Sequence, residues 1–380
     1  MKKLFIFSLV ALIFVLIFFV AYNVSFRSQK AENTINNENE TLGVFKNEES
    51  VKKIISLGDS GMLFPKVDSE NNKINYFSPS GELFSVSFTG ELRKNSNRSP
   101  ITGIKDFIWS PSRARAIILM AGENGEKYYA WYDGKTGTVH KYEENMDYAV
   151  WSGSDERILY KKFNPSDGSR ILMIADFDGK NARKIANIPW KMVSIYATVG
   201  KNNIFFWSFP FANEKTQLKK ASTVSFIDGV VSEAENIGKE TERYGADYLW
   251  SNRGDKVLIS SFAGKMELGF SNGNGENYED LKMPTLVSKC VWSKDDVFIY
   301  CAVPSSIDSD MMMPDDYQNE KFFTKDIFWK INIQTGERNR LVELNEITSD
   351  YDAKGLFLSP SEDALFFTNR LDEKLYRINL

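Results

Sequence analysis

Four aspartates recur just ahead of apolar, strand-like runs: Asp106, Asp147, Asp247 and Asp352. Brought together from several strand starts, such carboxylates could hold a cation and serve a hydrolase or lyase; taken singly, each caps the turn that enters its strand. The string Gly58-Asp59-Ser60-Gly61 has the form that presents a serine nucleophile. A nucleophilic serine needs a base within hydrogen-bond reach, usually histidine, and the one histidine of the chain, His140, lies in a strand-like segment far downstream. The string therefore reads as a turn and His140 as a surface imidazole. One histidine and two cysteines cannot assemble a zinc site of the usual ligand types. No catalytic residue, metal or cofactor is expected, and an enzyme reading rests on the four aspartates alone.

Cys290 and Cys301 flank the turn Lys294-Asp295-Asp296. If that hairpin sets them opposite each other, a cross-strand disulfide is geometrically possible; the alternative is two small buried apolar residues. Two polar insertions stand out. Pro304 to Lys325 contains Asp308, Asp310, Asp315 and Asp316 beside Met311, Met312, Met313, Tyr317, Phe322 and Phe323, and Phe209 to Ala221 contains Phe209 and Phe211. The carboxylates lack the glycine and terminal glutamate of a recognised calcium loop. Methionine and aromatic side chains exposed together commonly mark a partner surface, so Phe209, Phe211, Met311, Met312, Met313, Asp315, Asp316 and Tyr317 are the candidate binding residues. Neutral loop growth is the alternative.

The elements that must position these residues are repeats. Trp109-Ser110, Trp151-Ser152, Trp250-Ser251, Trp292-Ser293 and Leu358-Ser359 each end one strand and precede a polar turn and a second apolar strand. Trp109 to Trp151 and Trp250 to Trp292 both span 42 residues, with room for one degenerate unit between Trp151 and Trp250. A period of this length with several short strands marks a β-propeller. Thr89-Gly90, Asp133-Gly134, Asp178-Gly179, Asp228-Gly229, Asn272-Gly273 and Thr335-Gly336 supply the hairpin turns between the third and fourth strands of successive units. In the degenerate unit the frame places strands at Val193–Thr198, Asn203–Trp207, Ser222–Ile227 and Val230–Ile237. The last unit stops after three strands, and Val51 to Leu57 has the pattern of a fourth strand without a unit of its own. The expected fold is all-β: a single propeller, most simply of seven four-stranded blades, closed by that N-terminal strand alongside Leu375 to Leu380. In such a ring the turns between second and third strands open on one face, so both insertions rise from the same side.

FIWSPSRARAIILM, YLWSNRGDKVLISSF and LFLSPSEDALFFTNR resemble the "WSPDG-K-IAF" repeat of TolB-like propellers, seen also in the propeller halves of dipeptidyl and prolyl oligopeptidases, a WD40-like architecture. The resemblance covers residues 51–380 and implies the fold. It implies no single function, since one fold carries many. The Asp-Gly after Ser-Pro is missing or altered in most units, and no hydrolase domain follows within the 380 residues.

Leu4 to Tyr22 is an uncharged run long enough to span about 30 Å of hydrocarbon as a helix. It is longer than the apolar region of a cleaved signal peptide and ends in a poor cleavage sequence. The expectation is an N-terminal signal-anchor over residues 1–27, with Lys2 and Lys3 cytoplasmic, then an Asn/Glu-rich stalk over residues 28–50 and the propeller over residues 51–380. All 51 acidic residues lie beyond residue 27, against 44 basic ones. Such acidity argues against a nucleic-acid partner. The reading is a non-catalytic, membrane-tethered, extracytoplasmic propeller that binds a protein, peptide or envelope polymer; the alternative is a propeller hydrolase or lyase using the four aspartates and a cation.

Overall fold

Short apolar segments bounded by Gly, Asn and Asp become strands, and the most apolar of them become second strands, covered by neighbouring blades on both faces. Lys256–Phe262 and Ala364–Asn369 are buried along nearly their whole length. Gly179 and Gly336 take φ values of +84° and +73° in the turns that lead to fourth strands, a region open to glycine at little cost. The computed structural model describes residues 53–380 except 92, 97, 143–144, 154, 199–202, 223–233 and 238–241. The expected membrane span at 4–22, the stalk at 28–50 and Val51-Lys52 lie outside the described residues. Among those described, no helix is long and apolar enough to cross a membrane.

The described residues form seven four-stranded antiparallel sheets, the blades of a β-propeller, each with strands A to D from the axis outward. Blade 1 comprises Leu63–Asp68, Lys73–Phe77, Leu83–Ser87 and Arg93–Asn95. Blade 2 starts with Ile104–Trp109, blade 3 with Met146–Trp151, blade 4 with Val193–Ala197, blade 5 with Asp247–Trp250, blade 6 with Cys290–Trp292 and blade 7 with Ala353–Leu358. Neighbouring A strands pack against one another around the axis. Hydrophobic clusters lie between successive blades; one joins Leu258 and Leu268 of blade 5 to Trp292, Ile299 and Ile331 of blade 6.

Ring closure pairs the expected strands. Ile54–Ser56 pairs with the third strand of blade 7, Leu375–Asn379, setting Ile54 opposite Ile378 and Ser56 opposite Tyr376. Leu57 N–H donates to Leu375 O at 2.9 Å and Met62 N–H to Glu373 O at 2.9 Å, continuing the seam into blade 1.

Blade 4 corrects the sequence reading. Its C strand is Leu218–Ser222, paired with Asn203–Ser208, and its D strand is Glu235–Asn236. The expected Ser222–Ile227 strand lies outside the described residues beyond Ser222, the described end of the expected Val230–Ile237 strand does contain Glu235–Asn236, and the insertion shrinks to 209–217. Leu218 and Ala221 are buried while Lys219 and Lys220 are partly exposed, so two apolar contacts with blade neighbours overrode a weak local pattern.

The closing strand is a direct test of the ring. Ile54 is buried among Tyr351, Phe367 and Ile378, so Ile54→Ala should cost about 2–4 kcal/mol, read as a lower denaturation midpoint in urea. An unchanged midpoint would show that blade 7 does not depend on the N-terminal strand.

Candidate functional site

The connection from strand B to strand C of blade 6 folds back onto the ring. It carries a one-turn helix, Asp315–Gln318, and packs Met313 and Tyr317 against Met266 and Leu286. Met313 is only 1% exposed and Asp316 and Tyr317 are also buried, which corrects the expectation that these residues form an exposed platform. Asp316 is occupied internally, accepting from Met312 N–H at 2.8 Å and from Lys321. The Lys321 bond holds its carboxyl below the ordinary value. Met311 and Asp315 are half-buried; Met312 and Phe323 are exposed, at 37% and 50%. Asp308 and Asp310 are exposed.

Beneath this loop lies a buried ionic network. Lys289 Nζ donates to Asp326 and Asp352 at 2.7 Å each, to Thr324 Oγ1 at 2.9 Å and to Ala353 O at 3.1 Å. Tyr317 Oη donates to Asp352 Oδ1 at 2.7 Å, and Arg370 reaches Asp352 Oδ2 at 3.1 Å. Arg370 also lies over the Tyr317 ring, 4.2 Å from its centroid. Two cations thus meet two carboxylates, and a nearly dry site carries no net charge. Burial disfavours ionised Asp352, but Lys289, the hydrogen bonds from Lys289 and Tyr317, and Arg370 outweigh it and hold the carboxyl below its usual value. For Lys289, burial opposes the charge and Asp326, Tyr317 and Asp352 overcome it, raising the ammonium's pKa. Burial keeps Asp326 raised despite Lys289. The arrangement latches the blade 6 insertion to blade 7.

The second insertion joins the first. Ala212 N–H donates to Asp315 Oδ2 at 2.6 Å, and Gly245 N–H donates to Glu214 O at 2.9 Å. Gly245 has φ +56°, and a Cβ there would lie 2.9 Å from Pro314 Cδ, so the close approach of blades 4, 5 and 6 requires glycine. The half-buried Phe209 and Phe211 rings sit 5.1 Å apart. The two insertions form one continuous ledge.

The four aspartates do not converge as one cation site. Asp352 belongs to the latch. Asp147 pairs with Lys161 at 3.1 Å, and burial lowers the Lys161 ammonium despite that partner. Asp247 accepts from Tyr248 N–H and Trp207 Nε1, both at 3.0 Å, yet burial pushes its carboxyl up. Asp106 accepts from Phe107 N–H at 2.8 Å; the residue is exposed as a whole, yet desolvation of its carboxyl by the surrounding protein pushes it up as well. Tyr148, raised to about 12 chiefly by burial, feels both Asp247 and Asp106. Among the described residues no three His, Cys, Asp or Glu are grouped to hold a metal ion.

Lys289, Asp326 and Arg370 were missed in the sequence, although Lys289 stands three residues before Trp292, where Asp106 and Asp247 stand before Trp109 and Trp250. That exchange of aspartate for lysine was the available signal. Cys290 and Cys301 face each other with Cα atoms 4.2 Å apart and sulfurs 2.10 Å apart, a disulfide beside Lys289. His140 is exposed, stacked on Trp131 at 4.2 Å. Asp59 and Ser60 lie exposed between the closing strand and blade 1.

No family model and no curated protein matches this chain. Solved structures share the fold. An oligogalacturonate lyase in complex with manganese is 11% identical over 86% of this chain and 93% of its own, with a TM-score of 0.59. A second oligogalacturonate lyase, from Vibrio parahaemolyticus, gives 11% identity, the same coverage of both chains and a TM-score of 0.58. The propeller domain of the trilobed protease from Pyrococcus furiosus, described as having an open velcro topology, is 10% identical over 84% of this chain and 96% of its own, with a TM-score of 0.51. At these identities the likeness concerns the fold alone.

Tyr317 makes the latch testable. At pH 8, Tyr317→Phe should cost about 1–2 kcal/mol by removing a donor from a buried carboxylate. The phenol is pushed from 10.0 up to about 12, mainly by burial, with Asp352 adding to it against Lys289. The folded state therefore keeps this proton longer than the unfolded chain, and the contribution is whole below pH 10 and lost as pH rises toward 12. In urea denaturation the gap between wild type and variant should shrink across that window; a constant gap would contradict the latch.

Proposed function

We propose that this chain is a non-catalytic β-propeller scaffold that binds a protein, peptide or envelope polymer on the face built by the two insertions, and that residues 4–22 tether it in a cell membrane with the propeller outside the cytoplasm. The supporting observation is the ledge itself. A hydrogen bond from Ala212 N–H to Asp315 joins the two insertions, and a buried ionic network holds the longer one to blade 7, with Met312 and Phe323 exposed on it. Preorganisation lowers the ordering cost of binding, and exposed apolar side chains on a rigid rim suit a partner. The disulfide fits an oxidising compartment. The uncharged run at 4–22 supports the tether.

The enzyme alternative requires several free carboxylates aimed at one ion. Asp147 and Asp352 are already paired with lysines, which leaves Asp106 and Asp247.

Photocrosslinking residues placed at Met312 and Phe323 should capture a partner in the native envelope, whereas one at the exposed Lys135 turn on the opposite face should not. Equal capture at all three positions would refute the ledge as the docking surface. Calorimetric titration of the purified chain with Mn²⁺ or Ca²⁺ should give no saturable binding below millimolar concentration. Stoichiometric binding abolished by Asp106→Asn with Asp247→Asn would favour the enzyme.

A further inference from the structure

Of the four tryptophans that end strand A, two bond the preceding blade, Trp250 Nε1 donates within its own blade to Gly273 O at 3.4 Å, and Trp109 has no acceptor among the described residues. Trp151 Nε1 donates to Ile108 O at 2.8 Å, and Trp292 Nε1 to Leu249 O at 3.1 Å: each indole bonds the preceding blade one residue before that blade's own tryptophan. By register, with Val67 opposite Ile74 as Trp109 is opposite Ala116, the acceptor for Trp109 would be the Lys66 carbonyl. Blade 1 enters through a bulge between Leu63 and Lys66, as blades 2, 3 and 7 also do near the start of strand A, and Phe64 there takes φ +54°. Trp109 Nε1 is left buried with no hydrogen-bond partner among the described residues.

Trp109 forms part of the wall of a cleft between blades 1 and 2, about 440 Å³ in volume, within the range of small-molecule sites. Lys73, Lys94, Arg98 and Arg113 line it, and no carboxylate does. Asp68 alone offsets them, 3.7 Å from Lys73 and 3.8 Å from Arg113. Arg98 donates to Tyr132 Oη at 2.7 Å, which fixes its head without neutralising it, and neither Arg98 nor Lys94 has an acidic partner within salt-bridge distance among the described residues. Ser96 Oγ, in the same wall, is a second buried polar atom without a partner among the described residues. In a chain whose net charge is negative, four cations against one carboxylate is a local reversal of sign.

We propose that this cleft binds a small, oxygen-rich organic anion, carrying carboxylate or phosphate, with its charge on Lys94 and Arg98 and its body against Trp109 and Tyr132. Guanidinium and ammonium groups supply charge-assisted hydrogen bonds to such oxygens, and the aromatic walls supply area for the body. The site is independent of the insertion ledge: its cations and its cleft belong to blades 1 and 2, whereas the ledge is built from blades 4 to 6.

Calorimetric titration of the purified full-length chain with inorganic phosphate, glucose 6-phosphate, glucuronate and, as a neutral control, glucose tests the assignment and separates the two anion types. At least one anion should bind saturably, glucose should not, and affinity should fall as salt is raised. Lys94→Gln, an exposed position whose change leaves the fold intact, and Arg98→Gln should each weaken binding about tenfold, with an unchanged denaturation midpoint for the former. Trp109→Phe should weaken it several-fold while retaining saturation. Absence of saturable anion binding to the wild type, equal binding of glucose, or full affinity in Lys94→Gln would overturn the proposal.

Discussion

A propeller blade has two apolar faces and can bury them only against its neighbours, so the structure depends on the ring being closed. One short seam does this. Three residues, Ile54 to Ser56, complete blade 7, and bonds on either side extend the join: Arg93 donates to Leu57 O at 2.9 Å and Arg377 to Phe88 O at 3.4 Å. Without the seam, the strand Leu375–Asn379 would be an open edge able to pair with another chain. With it, every blade has two neighbours.

Within that constraint the repeat can be altered only where the geometry tolerates it, and the informative residues are the alterations. Replacing an aspartate by Lys289 at the start of strand A puts an ammonium between Asp326 and Asp352 of adjoining blades. Burying such a pair is costly unless every charge is met. The hydroxyls of Tyr317 and Thr324 and the guanidinium of Arg370 meet the charges of Asp352. Trp109 is a second departure: its indole N–H has no partner among the described residues, whereas Trp151, Trp250 and Trp292 each have a carbonyl acceptor. Both surfaces proposed to bind lie where the blade pattern is altered.

The sequence carried the architecture clearly because its signals are local and repeated. Trp-Ser pairs end A strands, glycines mark the hairpins, and Val51 to Leu57 looked like a fourth strand lacking a sheet. Blade 4 was harder to read, since Leu218–Ser222 offers only Leu218 and Ala221 as apolar anchors and its placement comes from pairing with Asn203–Ser208. The site was less legible still. Methionine serves equally as core filler and as surface contact, so composition could not distinguish buried Met313 from exposed Met312. The latch joins Lys289 to Asp352 across 63 positions, beyond any local pattern, and the orphaned Trp109 is visible only when its equivalents in other blades are seen to have acceptors.

The seam also has a schedule. Ile54 and its partner Ile378 lie 324 positions apart, and at a synthesis rate of about 5–20 residues per second the first strand waits on the order of tens of seconds for its mate. Throughout that interval Ile54 and its backbone amides are available to any other nascent edge. The strand that seals the ring must therefore stay unpaired until the residues of blade 7 have been made.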